Sequence, residues 1–179
     1  FMASGGSALN YLELESCQRT GSEYLLDLKE LGSGEAVQIQ SRSVINATGR
    51  WAHDWQEDLP KLRFSKGIHL VLPDCGLKEA LLLLSPVDGR VFFVIPWYGR
   101  TMIGTTDTDY QEGLDGVAVN EEDRLYLLEA INAFLKKKYR REDVISDFAG
   151  LRVMQWSDVN SPSAVSRDWT FLGGDGLWA

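Results

Sequence analysis

The side chains in this sequence that could do chemistry are few: His69, Arg152, Arg167, Asp107, and a turn at Ala47-Thr48-Gly49. His69 lies in an apolar stretch, Ile68-His69-Leu70-Val71-Leu72. An imidazole there is either a satisfied core side chain or, with a pKa near ~6.5, a proton acceptor suited to neutral pH. Arg152 and Arg167 follow an apolar and a small residue at predicted strand ends. A guanidinium stays charged at any working pH and meets phosphate oxygens two at a time. At a surface the same side chain makes only a modest ion pair. Thr48-Gly49 follows an apolar strand; it is either a plain strand end or a tight turn where backbone can approach a cofactor. Asp107 reads as a turn residue whose carboxylate bonds nearby amides, and Trp97 reads as core.

Several function classes are excluded. His53 and His69 stand without the Cys or carboxylate spacing of a zinc site, so no metal is expected. No G-x-G-x-x-G or P-loop word is present, so the chain carries no complete nucleotide site of those kinds. Lysine and arginine number 18 against 26 aspartates and glutamates, a net charge of −8, which argues against a nucleic-acid partner. Hydrophobic residues at 44% and charged residues at 25% exclude a disordered or fibrous chain. Cys17 and Cys75 are too few for a disulfide scaffold and point to a reducing cytosolic setting or to inert buried thiols. The longest apolar runs, Ala80 to Leu84 and Val91 to Pro96, fall far short of the ~20 residues of a spanning helix. The opening Phe1-Met2-Ala3-Ser4 lacks a basic segment of the kind that begins a signal peptide, and the ends read as cuts in a longer protein.

The elements that must position these residues follow from the pattern. The first third reads as a β-meander, with strands over Tyr11–Glu15, Glu23–Glu30 and Glu35–Ser41, then Val44 to Gly49 and a helical turn at Trp51 to Gln56. After about Pro60 come strands over Ile68–Pro73, Ala80–Ser85, Val91–Trp97 and Thr101–Thr105, with Asp88-Gly89 and Tyr98-Gly99-Arg100 as hairpin signals. A helix begins at the N-cap Asn120, carries Glu121, Glu122 and Asp123 in its first turn, and runs to Lys136–Lys138. Leu125, Leu128, Ile131 and Leu135 mark its buried face. Strands over Val144–Met154 and Ala164–Leu172 close the chain. The expected class is α+β: an antiparallel or mixed sheet with one long helix, beside a β-meander.

Five words then appear in order over about 120 residues: Asn46-Ala47-Thr48-Gly49-Arg50-Trp51-Ala52, Lys66-Gly67-Ile68-His69, Ile95-Pro96-Trp97 with Ile103-Gly104-Thr105-Thr106-Asp107, Gly150-Leu151-Arg152, and Ser166-Arg167-Asp168. The first resembles the N-A-T-G-P-W-A segment of D-amino-acid-oxidase-like flavoproteins, with Arg50 in place of the proline. The others resemble the K-G-x-H, I-P-W…I-G-T-T-D, G-[VL]-R and S-R-D words of FAD-dependent glycerol-3-phosphate dehydrogenases.

The resemblance implies a central piece of such an enzyme. Residues 1–59 would be a partial FAD-binding domain, residues 60–172 the substrate-capping domain, and residues 173–179 the start of a return to the FAD domain. It implies FAD as cofactor, held mostly by segments outside this chain, with Ala47, Thr48 and Gly49 as its contacts here, so that the piece alone would be inactive. It implies glycerol 3-phosphate as substrate, oxidised to dihydroxyacetone phosphate, and quinone as the onward acceptor. His69 would touch the substrate and take the hydroxyl proton. Arg152 and Arg167 would bind substrate, through its phosphate or its reacting oxygen, with Arg152 also counted as catalytic. The cluster Lys136-Lys137-Lys138-Tyr139-Arg140-Arg141 is either a solvated helix end or, in an enzyme serving membrane quinone, a contact with anionic lipid. Localisation would be cytoplasmic, at the inner face of the membrane. Another amino-acid or 2-hydroxy-acid oxidoreductase of the same fold, or a non-catalytic anion-binding domain, is the alternative.

Overall fold

The computed structural model describes residues 2–159, 162–165 and 171–179. It divides into two compact units, Phe1–Leu59 with Asp168–Ala179, and Pro60–Arg167.

In the first unit β1 (Leu12–Thr20), β2 (Glu23–Glu30) and β3 (Ala36–Ser41) form an antiparallel meander in that order. β1 runs five residues past the expected Glu15, because Ser16 to Thr20 all find partners on β2; the Ser16 hydroxyl donates to Asp27 at 2.6 Å. β4 (Val44–Ile45) leads into a 3-10 turn and the short α1 (Ala52–Trp55). β11 (Gly173–Gly174) and β12 (Leu177–Trp178) form a small hairpin, and β12 lies parallel to β4. Of the strand expected over Ala164–Leu172, Ala164 ends a 3-10 turn that begins at Pro162, residues 166–170 lie outside the described residues, and Phe171 and Leu172 are in no strand.

The second unit is one antiparallel sheet with a helix on it. Its strands are β5 (Leu62–Pro73), β6 (Leu81–Leu84), β7 (Val91–Trp97), β8 (Arg100–Gly104), β9 (Thr108–Tyr110) and β10 (Ser146–Gln155). The order is β10-β5-β8-β7-β6, and β9 pairs with the first half of β5. β5 begins six residues before the expected start. Arg63, Ser65 and Lys66 hide its apolar pattern, yet all three are buried and partnered. Tyr98 and Gly99 both take positive φ, 46° and 71°, the two-residue turn that matches strand twist. Trp97, expected in the core, is 45% exposed and meets the Tyr98 ring edge-on.

α2 (Glu121–Asn132) starts as expected: the Asn120 side chain accepts from the Asp123 N–H, and the Asp123 carboxylate accepts from the Asn120 N–H. It ends at Asn132, earlier than expected, where the Asn132 side chain bonds the Tyr139 backbone twice. Its buried side chains include Leu127, Leu128, Ala130 and Ile131. Leu125 points to solvent, since a spacing of three drifts off the 3.6-residue stripe. These residues pack on Ile68, Leu70, Leu72, Phe92, Val94 and Ile103 to make the core. Full burial of each such side chain contributes roughly 1.5–3 kcal/mol. Cys17 and Cys75 are free and partly buried, and Cys75 packs against the core.

One ion pair lies inside this layer. Lys66 Nζ sits 2.6 Å from Asp123 Oδ2, with both side chains below a tenth exposed, and ties the sheet to the first turn of α2. Removing one member strands the other without water. Lys66→Met is expected to lower stability by about 3–5 kcal/mol in denaturant unfolding. Lys66→Met combined with Asp123→Leu should recover part of that loss; a single variant as stable as the parent would contradict the role of the pair.

Candidate active site

Strand alternation sorts β5 into two faces. Lys66, Ile68, Leu70 and Leu72 turn toward α2, while Arg63, Ser65, Gly67 and His69 turn away. Antiparallel partners share a face, so β10 adds Phe148, Gly150 and Arg152 opposite His69, Gly67 and Ser65. β8 adds Gly104, also opposite His69. His69 and Arg152, expected together from sequence, thus do share one face of one sheet. Arg167 lies outside the described residues.

Two glycines make this face possible. A Cβ at Gly67 would stand 2.5 Å from Thr105 Oγ1 and 2.6 Å from Arg152 Nη2. A Cβ at Gly104 would stand 2.4 Å from His69 Cδ2. The guanidinium and the imidazole therefore occupy space that side chains would otherwise fill. Gly150, between Phe148 and Arg152, has nothing within 4 Å of its own Cβ position, which leaves an open notch between them.

The guanidinium is fixed by residues 105–107, which leave the ladder between β8 and β9. Arg152 Nη2 donates to Thr105 Oγ1 at 3.0 Å, and Nη1 donates to the Thr106 carbonyl at 3.3 Å and to Asp107 Oδ1 at 3.2 Å. Ser65 Oγ donates to the same Asp107 oxygen, and Arg90 Nη1 holds the Asp107 carbonyl at 2.8 Å. Asp107, read from sequence as a turn residue, instead orients Arg152 and offsets part of its charge. Thr106 Oγ1 accepts from the Ile68 N–H at 3.1 Å, so β5 is not left with an open donor where the ladder parts. Ser65, Thr105 and the glycines were missed as site residues, though glycines inside strands are a readable sign of close approach.

The His69 imidazole is held below its ordinary pKa of 6.5, first by burial and then by the positive charge of Arg152. It is neutral at pH 7 and able to accept a proton. The unfolded chain binds more protons than the folded one around and below that pH, so this residue costs stability as pH falls through 6.5. A neutral base beside a fixed cation can remove a hydroxyl proton and bind a phosphate or a developing negative oxygen.

In the first unit, Asn46 pins the other expected site. Its Nδ2 donates to the Ala52 carbonyl at 2.8 Å, and its Oδ1 accepts from Thr48 Oγ1 at 2.7 Å. Above it Ala47 and Gly49 are exposed, Gly49 has φ +61°, and nothing lies within 4 Å of its Cβ position. An exposed backbone turn fixed from beneath fits a cofactor approached through main-chain atoms. Among the described residues no group of three or more His, Cys, Asp or Glu could hold a metal. No helix there is long and apolar enough to cross a membrane.

The family profile described as FAD dependent oxidoreductase (DAO) matches residues 1–178. The chain belongs to the FAD-dependent oxidoreductase family. It is 31% identical over 173 residues to the aerobic glycerol-3-phosphate dehydrogenase of Escherichia coli K12, covering 93% of this chain and 34% of that protein. It is 30% identical over 174 residues to D-erythritol 1-phosphate dehydrogenase of Brucella abortus, covering 93% and 35%. The structure of the Bacillus halodurans glycerol-3-phosphate dehydrogenase complexed with FAD superposes with TM-score 0.82 at 33% identity, over 99% of this chain and 36% of that one. This chain of the family spans about a third of the length of these relatives.

Arg152→Gln removes the cation nearest in effect to His69. The imidazole pKa is then expected to rise toward, without exceeding, 6.5, because burial remains. A pH titration of the histidine ring protons by NMR in the chain and its variant reads this; an unchanged or lowered pKa would contradict the arrangement.

Proposed function

We propose that this chain is part of an FAD-dependent glycerol-3-phosphate dehydrogenase, which oxidises the C2 hydroxyl of sn-glycerol 3-phosphate to give dihydroxyacetone phosphate. The observation that carries the reading is the pairing of a neutral imidazole, His69, with a fixed guanidinium, Arg152, on one sheet face beside an open notch. The names of the E. coli and B. halodurans relatives support it. His69 takes the hydroxyl proton. Arg152 binds the substrate's anionic oxygens together with Arg167, and the notch at Gly150 admits a small polyol. Bound FAD supplies the acceptor for the two electrons leaving C2. Ala47, Thr48 and Gly49 contribute backbone to its site; the unit of residues 1–59 and 168–179 belongs to the FAD-binding domain and the unit of residues 60–167 is the substrate domain, a boundary five residues before the expected 172.

Quinone is the onward electron acceptor, and the enzyme works in the cytoplasm at the inner membrane face. Lys136, Lys137 and Arg140 are exposed and available to anionic lipid, whereas Lys138 is taken up by the carbonyls of Asn132 and Leu135, and Arg141 pairs with Glu121 at 3.2 Å. A four-carbon polyol phosphate is the second reading, favoured by the similarity to D-erythritol 1-phosphate dehydrogenase.

Assay of the FAD-loaded enzyme with both phosphates decides between them. Glycerol 3-phosphate is expected to give the higher kcat/KM. His69→Ala should lower kcat roughly 10²- to 10⁴-fold, and turnover should decline on the acid side as His69 protonates. Absence of turnover with either polyol phosphate would defeat the reading.

A further inference from the structure

The His69 ring is held by its two cross-strand neighbours. On the β8 side it lies over bare backbone at Gly104, where a Cβ would come within 2.4 Å of Cδ2 and 2.8 Å of Cγ. On the β10 side the Phe148 ring stacks on it, with centroids 5.0 Å apart and planes 11° from parallel. We propose that Phe148, acting with the space left by Gly104, is the positioning residue that fixes the plane of the His69 imidazole for proton transfer. The proposal rests on the reading of His69 as the base.

Among the described residues the ring contact of Phe148 is with His69. Phe148 is 50% exposed and stands outside the core cluster. Its neighbours on β10 serve the opposite face: Asp147 accepts from Arg124 Nε of α2 at 2.7 Å, and Ala149 packs against the core. With half its surface exposed, Phe148 is not a core side chain. It does occupy the face of the imidazole. The nitrogen lone pair that accepts a proton lies in the ring plane. Contacts on the flat faces therefore restrict the ring's torsions, which are otherwise broad for histidine, and leave the ring edge open to substrate. Stacking of this offset, near-parallel kind is a preferred aromatic geometry. A base whose plane is set before substrate arrives meets the requirement for an aligned reacting pair.

The decisive comparison is between Phe148→Leu, which keeps an apolar side chain but loses the flat ring, and Phe148→Tyr, which keeps the ring. In the FAD-loaded enzyme assayed with glycerol 3-phosphate, Phe148→Leu is expected to lower kcat roughly 10- to 100-fold with KM within about twofold, and Phe148→Tyr to restore it. Proton NMR of the 179-residue chain gives an independent reading. Ring-current shifts of the His69 ring protons should be lost in Phe148→Leu and retained in Phe148→Tyr. Because Phe148 lies outside the core, both variants are expected to fold, and circular dichroism checks this. Parent-like turnover by Phe148→Leu beside an inactive His69→Ala would overturn the positioning role alone. So would equal damage by Leu and Tyr. Parent-like turnover by His69→Ala would instead overturn the reading of His69 on which the proposal stands.

Discussion

β5 must present two incompatible surfaces on a single strand, and the twofold alternation of its side chains is the constraint on which the second unit depends. Every even position from Lys66 to Leu72 enters the layer beneath α2, and every odd position from Arg63 to His69 leaves it. A slip of one residue would bury the imidazole and expose the core leucines. The register is held by ten consecutive pairs with β10 and by pairs with β8 and β9 on the other side. The Lys66–Asp123 ion pair adds a check that only one register satisfies, because it requires the lysine to point at the first turn of α2. One four-residue word, Lys66-Gly67-Ile68-His69, therefore serves both faces: an ion pair and a core residue inward, a gap and an imidazole outward.

The outward face raises an electrostatic problem. Burial, and after it the guanidinium beside the ring, disfavours the imidazolium and keeps His69 neutral. An unaccompanied Arg152 would also be free to swing toward solvent. Residues 105–107 prevent that by stepping out of the ladder and presenting Thr105 Oγ1, the Thr106 carbonyl and the Asp107 carboxylate to Arg152. Asp107 is itself fixed by Ser65 and Arg90. The arrangement offsets part of the arginine's charge without neutralising its effect on His69, and it fixes direction, which a solvent-exposed arginine lacks.

How far the sequence foretold this depends on whether a residue's role was set locally. Turns and caps were legible: Tyr98-Gly99, Asn120 with Asp123, and the full extent of β2 depend on neighbours a few residues away. The first half of β5 was not, because Arg63 and Ser65 are made acceptable in a strand by Asp109 and Asp107, more than 40 positions distant. The exposure of Leu125 escaped because Leu125, Leu128 and Ile131 at spacing three look periodic until packing selects the 3.6-residue stripe, and the helix end escaped because Lys136–Lys138 suit a C-terminus although Asn132 closes the helix sooner by bonding the Tyr139 backbone. His69 and Arg152 were legible as candidates from ordered words, but their common face required the register. Phe148 carried no sequence signal; its significance is its position opposite His69.

The same distinction between local and distant support explains the turn in the first unit. Its word has Arg50 where the N-A-T-G-P-W-A segment it resembles has proline, and proline would lock one backbone torsion there. Here the rigidity comes from beneath. Asn46, buried, reaches forward to the Ala52 carbonyl and gathers the Thr48 hydroxyl, closing a loop of side-chain bonds around Ala47 to Gly49. The Arg50 guanidinium lies 4.1 Å from the centre of the Trp51 ring, a cation–π contact that occupies the side chain. The turn can therefore remain a fixed backbone surface without the proline, because Asn46 constrains the whole turn through hydrogen bonds where proline would fix a single torsion.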